Sequence, residues 1–379
     1  MNEKTRAAHR IAVISQTPPP VHGATLMTER LLVSLAETGY PVKLVDRRFS
    51  RSVSEIGAPS VRKLFAVAGL AARVLRAVLC WRPTATIFFA TTRPGSFAVD
   101  WMLSELLRLS RGRVILYLHS VGFRDLAARG RPWRWMVRRL FSAPRIRVVC
   151  LGASLTADVP ARIQRERIVL IPNTPADLPA GLADLGAHPD TSRPGEPSVL
   201  YLSNFIEGKG ADVFARVVGM LRNEHPSARF LMAGNAGDPG MAARVTDELT
   251  AAGAQDRVEL LGSVSGAHKW STIGSATCLA FTSQLWEAQP LTIIEALACG
   301  VPVVAFRAGG MPDLIVDGEN GFLVEQGDVG AFAERVSALC ADQALRARMS
   351  AAARASFCER YSAEAFARAW DAQLAGGAL

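Results

Sequence analysis

With 379 residues, 49% of them apolar and 20% charged, the chain is too long for one ordinary core and has the composition of a soluble globular protein of about two domains. No uncharged apolar run approaches the roughly 18 to 20 residues of a membrane-spanning helix; Leu64 to Ala72 comes nearest and Arg73 ends it. The net charge of +9 is split: residues 1–150 hold 25 Lys or Arg against 8 Asp or Glu, and residues 151–379 hold 18 against 26, so the halves carry +17 and −8 and face different partners.

The N-terminus, MNEKTRAAHR, is basic but has no apolar segment before the first strand, so no signal peptide is expected. The strand RIAVISQT (10–17) leads into the loop PPPVHGA (18–24) and a helix opening near Thr25; Gly23 lets the backbone approach a ligand closely, which suits a diphosphate. After PVKLVD (41–46), the stretch RRFSRSVSEIGAPSVRK (47–63) combines Gly, Pro and Ser with Arg47, Arg48, Arg51, Arg62 and Lys63, and reads as an acceptor loop or a patch for an anionic membrane. Residues 62–83 have helical periodicity with Arg62, Arg73 and Arg76 on one side, and 129–141 interleave Trp133 and Trp135 with Arg131, Arg134, Arg138 and Arg139. Interfacial helices have this composition, and so do sheet-covering helices whose arginines are solvated.

Further strands are expected at TATIFFAT (84–91), RVILYLHS (113–120, with His119 near its end), RIRVVCLG (145–152) and RIVLIPN (167–173). Residues 174–197, rich in Pro, Gly and Asp, read as an interdomain linker. Beyond it come SVLYLSN (198–204), ARFLMAGN (228–235), RVELLGSV (257–264), TCLAFTS (277–283) and VPVVAF (301–306). Strands alternating with helical patterns predict parallel sheets covered by helices. Six cysteines without paired spacing, mostly inside apolar patterns, read as small buried hydrophobes in a reducing compartment.

Two places carry chemistry. Lys209, in IEGKGADVF, stands between two glycines where a strand gives way to a helix, and there an ammonium and backbone N–H groups can both approach an anion. Residues 283–310, SQLWEAQPLTIIEALACGVPVVAFRAGG, run from strand to helix to strand, with Pro290 suited to the first helical position and Gly300 closing the helix. Glu287 lies in the crevice before the helix and Glu295 about a turn and a half inside it; carboxylates there suit hydroxyls rather than phosphates. Thr292 and Glu295 also have the spacing of a capping box, so spacing alone leaves cap and ligand open for Glu295.

Glu287, Pro290, Glu295, Ala296 and Gly300, followed by PVVAFRAGGMPDLIVDGENGFLV, resemble the Glu-x(7)-Glu region of the retaining glycosyltransferases of family four. YLSNFIEGKGADVF, RIVLIPNTP, the Gly23 loop and LYLHS resemble that family's other landmarks, in the expected order over nearly the whole chain. The resemblance implies a GT-B fold, two Rossmann-like parallel-sheet domains facing a cleft: 1–175 for the acceptor, 176–197 as linker, 198–361 for the donor, and 362–379 crossing back to the first domain. It implies a nucleotide-sugar donor (UDP- or GDP-sugar) and a saccharide or lipid-linked acceptor in cell-envelope synthesis. Lys209 would meet the donor diphosphate, Glu295 the ribose, and Glu287 and His119 the sugar; Gly23, Asn204, Ala288, Gln289, Pro290, Leu291 and Thr292 complete the donor set. Where the family often has a Gly-Arg pair before the lysine, this chain has Ser203 and Asn204, and where two glycines are common it has His22 and Gly23.

The sequence has no Asp-x-Asp pair and no zinc spacing, so no metal or other cofactor is expected and protein charge is taken to hold the leaving diphosphate. A nicotinamide-dependent dehydrogenase is the alternative, with Asp46 as the ribose acid, but no Gly-x-Gly-x-x-Gly follows the first strand. A nucleic-acid-binding module would rest on the basic half alone, and no recognition motif supports nucleic acid as a partner.

Overall fold

The computed structural model describes residues 3–19, 22–47, 61–143, 145–179, 182, 196–235 and 237–376, without the side chains of 3–5 and 61–64. Most of the proposed linker, and of the acceptor loop 47–63, thus lies outside the described residues. The chain divides into two compact units, Met1–Ala176 with Ala363–Leu379, and Asp177–Ser362.

In the first unit six strands form one sheet: β1 (Ile11–Ser15), β2 (Val42–Asp46), β3 (Ala85–Ala90), β4 (Arg113–Leu118), β5 (Ile146–Cys150) and β6 (Ile168–Leu170). Every pairing is parallel and the order is β2-β1-β3-β4-β5-β6. Parallel strands need crossovers, and the crossover helices bury the sheet, which is why β1 and β3 are wholly buried and apolar apart from Ser15 and Thr86. The strand order reverses between β1 and β3, and a ligand crevice is expected beyond the carboxyl ends of strands at such a point.

The sequence assigns Arg47, directly after β2, to an acceptor or membrane patch, and the structure corrects this. Its side chain is buried, donates to the Phe89 carbonyl at 2.6 Å and pairs with the fully buried Asp100. Asp100 also accepts from the Thr91 N–H (2.8 Å) and hydroxyl (3.1 Å). Burial pushes the Asp100 carboxyl above the ordinary aspartate range, opposed by Arg47 and Thr91. A guanidinium so engaged ties β2 and β3 to the helix Pro94–Leu107 and offers no charge to a membrane.

The final helix, Ala363–Ala375, belongs to this unit. Trp370 and Leu374 are buried, with Trp370 edge-on to Tyr117 on β4 (5.0 Å). Asp371 pairs with Arg6 (2.7 Å) and accepts the Tyr40 hydroxyl (2.7 Å). At the helix end Arg113 donates to the Gln373 and Leu374 carbonyls, so a cation satisfies backbone acceptors at the negative end of the dipole.

The second unit holds β7 (Ser198–Leu202), β8 (Arg229–Ala233), β9 (Val258–Gly262), β10 (Cys278–Phe281), β11 (Val303–Phe306) and β12 (Gly321–Val324), all parallel, in the order β12-β11-β10-β7-β8-β9. Numbered within the unit from the far edge this is 3-2-1-4-5-6, the dinucleotide-binding order, with its switch between β7 and β10. The strand β12 was not among the expected ones: it opens on Gly321 directly after the DGEN turn and offers only three consecutive apolar residues, Phe322 to Val324. Cys150, Cys278, Cys299 and Cys340 are buried as expected, whereas Cys80 and Cys358 are exposed.

Asp100→Ala leaves the Arg47 guanidinium buried without its counter-charge and is expected to cost about 3 to 5 kcal/mol. Denaturant unfolding monitored on the first unit checks this, and a loss below about 1 kcal/mol would show that water or another acceptor replaces the carboxylate.

Candidate active site at the β7–β10 switch

The loops after β7 and β10 are fastened to each other. Gly208 and Gly210 take left-handed conformations (φ 81° and 79°) on either side of Lys209, and a Cβ on either would clash, at Gly208 with Leu285 and at Gly210 with the Thr282 carbonyl. Thr282 Oγ1 donates to Gly210 O (2.7 Å) and Gln284 N–H to Gly208 O (2.8 Å). This close approach brings Lys209 Nζ to 2.7 Å from Glu287 Oε2, across a sequence separation of 78 residues. Ser283 Oγ holds the other oxygen, Glu287 Oε1, at 2.5 Å. The Glu287 carbonyl accepts from Gly310 N–H (2.9 Å), and Gly309 (φ 52°) leaves no room for a side chain against it. Glu287 is therefore fixed at both its main chain and its carboxylate.

Ala288 and Gln289 lead to Pro290, which is the residue before the helix (φ −64°, ψ 125°) rather than its first turn; the helix is Leu291–Ala298. No side chain caps it, so the capping box of Thr292 and Glu295 is not formed. The N–H groups of Leu291, Thr292 and Ile293 have no acceptor within the helix and add their dipole to this end of the sheet. Glu295 instead lies buried, 6% exposed, with Lys269 Nζ at 2.9 Å from Oε1. Lys269 also reaches both oxygens of Asp177 (3.1 and 3.0 Å). Burial raises the Glu295 carboxyl above the usual glutamate range, with Lys269 opposing; burial acts to lower Lys269, and Glu295 and Asp177 together raise it.

In the first unit His119 follows β4. Its ring stacks on Phe89 (4.8 Å, 4° between planes), Tyr117 meets it edge-on at 4.1 Å, and its Nε2 is buried without a hydrogen-bond partner among the described residues. Burial, and then the charge of His22, push His119 down to about 3, so the imidazole is neutral at any working pH. Gly23 opens the helix Gly23–Glu37, where a Cβ would meet nothing within 4 Å; packing does not require glycine there. Asn204 is exposed and its Oδ1 accepts the Asn235 N–H at 3.2 Å.

The structure thus brings Lys209 and Glu287 together directly, and places Glu295 further along the Leu291–Ala298 helix in a second ion pair. Arg48 and Arg51 lie outside the described residues; Arg62 and Lys63 stand in the helix Val61–Arg76, their side chains outside the description. Sequence reasoning missed Ser283, Lys269 and Asp177. Their partners are spatial, and only the glycines around Lys209 hinted at a close approach. Among the described residues no three His, Cys, Asp or Glu side chains converge as a metal site would require.

Residues 188–356 match the profile of the family described as glycosyl transferases group 1. A D-inositol 3-phosphate glycosyltransferase of Mycolicibacterium smegmatis is 31% identical over 198 residues, 51% of this chain and 43% of that protein. The GDP-mannose-dependent alpha-(1-6)-phosphatidylinositol monomannoside mannosyltransferase of the same organism is 30% identical over 164 residues, 42% of each. The aligned region spans less than half the length of these relatives. Over nearly the whole chain the fold is similar to that of sucrose-phosphate synthase from Thermosynechococcus elongatus, with TM-score 0.73 and 20% identity over 97% of this chain and 100% of the other. Anabaena HepE, solved in complex with UDP and glucose, matches with TM-score 0.69 and 18% identity, again over 97% and 100%. Residues 188–356 are thus similar to the glycosyl transferases group 1 family, and the two parallel sheets have the GT-B fold.

Proposed function

We propose that this glycosyltransferase moves a sugar, with retention, from a UDP- or GDP-sugar to a saccharide or lipid-linked acceptor in envelope polysaccharide or glycolipid synthesis. The observation that carries the reading is the Lys209–Glu287 pair at the strand switch, 23% and 17% exposed. An ammonium and a carboxylate there offer one group to the donor diphosphate and one to sugar hydroxyls. HepE, with its UDP and glucose, and the mannosyltransferase named for GDP-mannose support a nucleotide-sugar as the donor.

In the reaction the bond from the anomeric carbon to the diphosphate breaks as the acceptor oxygen bonds to the same face, and the acceptor proton passes to the leaving phosphate oxygen. The main demand is to stabilise the diphosphate as its charge grows. Lys209, aided by the N-terminus of the helix Ala211–Leu221 that Gly210 caps, meets that demand without reorganisation. Glu287, released from Lys209 by the incoming anion yet still held by Ser283, accepts sugar hydroxyls, with the amides of Ala288 and Gln289 beside it. Glu295 accepts the ribose hydroxyls. Protein charge does the work a divalent ion does in other glycosyltransferases. Lys209→Ala is expected to slow transfer at least about a hundredfold, as removal of one preorganised donor to a developing anion does. EDTA should leave the parent enzyme active; activity abolished by EDTA and restored by magnesium or manganese would contradict the metal-free reading.

The same proposal places the enzyme peripherally at the cytoplasmic face of an anionic membrane. No helix among the described residues is long and apolar enough to cross one. With Arg47 withdrawn, the helix Arg131–Leu140 supports the contact: Trp135 is 56% exposed, Arg131, Arg134 and Arg138 are exposed around it, and Arg139 is taken by Glu105 at 2.8 Å. At about 1 kcal/mol each, replacing these three arginines by Gln should weaken binding to anionic vesicles roughly a hundredfold and leave nucleotide affinity unchanged. Vesicle binding equal to the parent's would show that this helix is a solvated face.

A further inference from the structure

Lys269 is outside the donor residues assigned above, yet Glu295 depends on it. It lies in the helix Gly266–Gly274 with its side chain 16% exposed, and its ammonium takes Glu295 Oε1 and both oxygens of Asp177. Trp270 secures Asp177 by an Nε1–H bond to its carbonyl (2.9 Å), and its ring lies 4.9 Å from the ammonium. Lys269 reaches Oε1 alone, which leaves Oε2 as an acceptor for a ligand.

Among the described residues the surroundings of Glu295 supply no other counter-charge. On its own helix Ile293, Ile294, Ala296, Leu297 and Ala298 are buried, and β10 and β11 meet that helix with Leu279, Phe281, Val303 and Ala305. The Cys299 thiol is pushed up to about 12 by burial and is neutral. Arg354, on the packed helix Gln343–Ser356, directs its guanidinium to the carbonyls of Ala298 and Leu182. In the neighbouring segment Phe357–Tyr361, Glu359 and Arg360 are exposed and Arg360 donates to the Asp313 carbonyl. Asp177, being an anion, favours protonation of Glu295. Without Lys269, burial and Asp177 would raise the Glu295 carboxyl unopposed.

We infer that Lys269 is a positioning residue for the donor: it keeps Glu295 anionic and fixes the rotamer in which the second oxygen receives a ribose hydroxyl. The inference rests on the assignment of Glu295 to the ribose. A charged acceptor bonds a hydroxyl about twice as strongly as a neutral one, so losing the ammonium translates into lost nucleotide affinity that high pH restores.

The test is calorimetric affinity of the full chain for UDP and for GDP at pH 6.5 and pH 9, each variant expressed relative to the parent at the same pH so that the ligand's own titration cancels. Lys269→Met is expected to bind about tenfold more weakly at pH 6.5 and within about threefold of the parent at pH 9, since buried glutamates titrate as high as about 8 to 9. Lys269→Arg should stay near the parent at both. Lys269→Gln, which can still donate to Oε1 but carries no charge, should follow Lys269→Met and replaces it if the methionine variant does not fold. In a Glu295→Gln background Lys269→Met should add less than about twofold, because it acts through the carboxylate. Unchanged affinity in Glu295→Gln alone would remove the ribose assignment and the inference with it. Weakened binding in Glu295→Gln, together with a Lys269→Met loss that is equal at both pH values or fully additive, would keep the ribose assignment and overturn the role of Lys269.

Discussion

The close approach of two backbones at the β7–β10 switch is the constraint on which the candidate site depends. Gly210 can sit against the Thr282 carbonyl only because it has no Cβ and adopts φ 79°. That contact sets Lys209 over the loop that begins at Ser283, and Gly309 and Gly310 press the main chain of Glu287 from the other side. Two glycine-dependent approaches, at Gly210 and Gly309, therefore bear on one ion pair. The parallel sheet supplies the rest, since all its strands deliver their carboxyl ends, and the loops that follow, to one edge.

Charge is handled differently in the two units. The first unit satisfies part of its excess of arginines internally: Arg47 on Asp100 and Phe89, Arg113 on the carbonyls of the last helix, and Arg139 on Glu105. A net charge of +17 over residues 1–150 consequently overstates what is offered to a partner, and the solvent-facing part is concentrated at places such as the helix Arg131–Leu140. The second unit sets two ion pairs beside its sheet, the half-buried Lys209–Glu287 and, around the buried Glu295, Lys269–Glu295. Removing Lys269 would leave the buried Glu295 without its counter-charge, so that pair holds its side chains in place.

The fold was legible because an apolar run in a parallel strand is local information. Eleven of the strands coincide with runs such as TATIFFAT and TCLAFTS, whereas β12, GFLV, opens on a glycine directly after a turn and shows only three consecutive apolar residues. The glycines around Lys209 and the proline before Leu291 signalled loop-to-helix junctions, which depend only on neighbours in sequence. Pairings across long separations left no such mark: Arg47 with Asp100 and Lys269 with Glu295 are set by the packing of helices on the sheet. Thr292 and Glu295 show how spacing can mislead. They satisfy a capping-box pattern, but Pro290 ends the extended segment so that Glu295 lies on the fifth residue of the helix, too far in to cap it.

The central claim, that this crevice takes a nucleotide-sugar through protein charge, is tested most directly by thermal unfolding of the full chain with UDP, GDP or NAD and no added divalent ion. A ligand at about a hundred times its dissociation constant stabilises by about 2.7 kcal/mol, a rise of roughly 5 to 10 °C for a unit of this size. UDP or GDP should produce that rise and NAD should not. A rise with NAD alone, or with neither UDP nor GDP at saturating concentration, would contradict the claim.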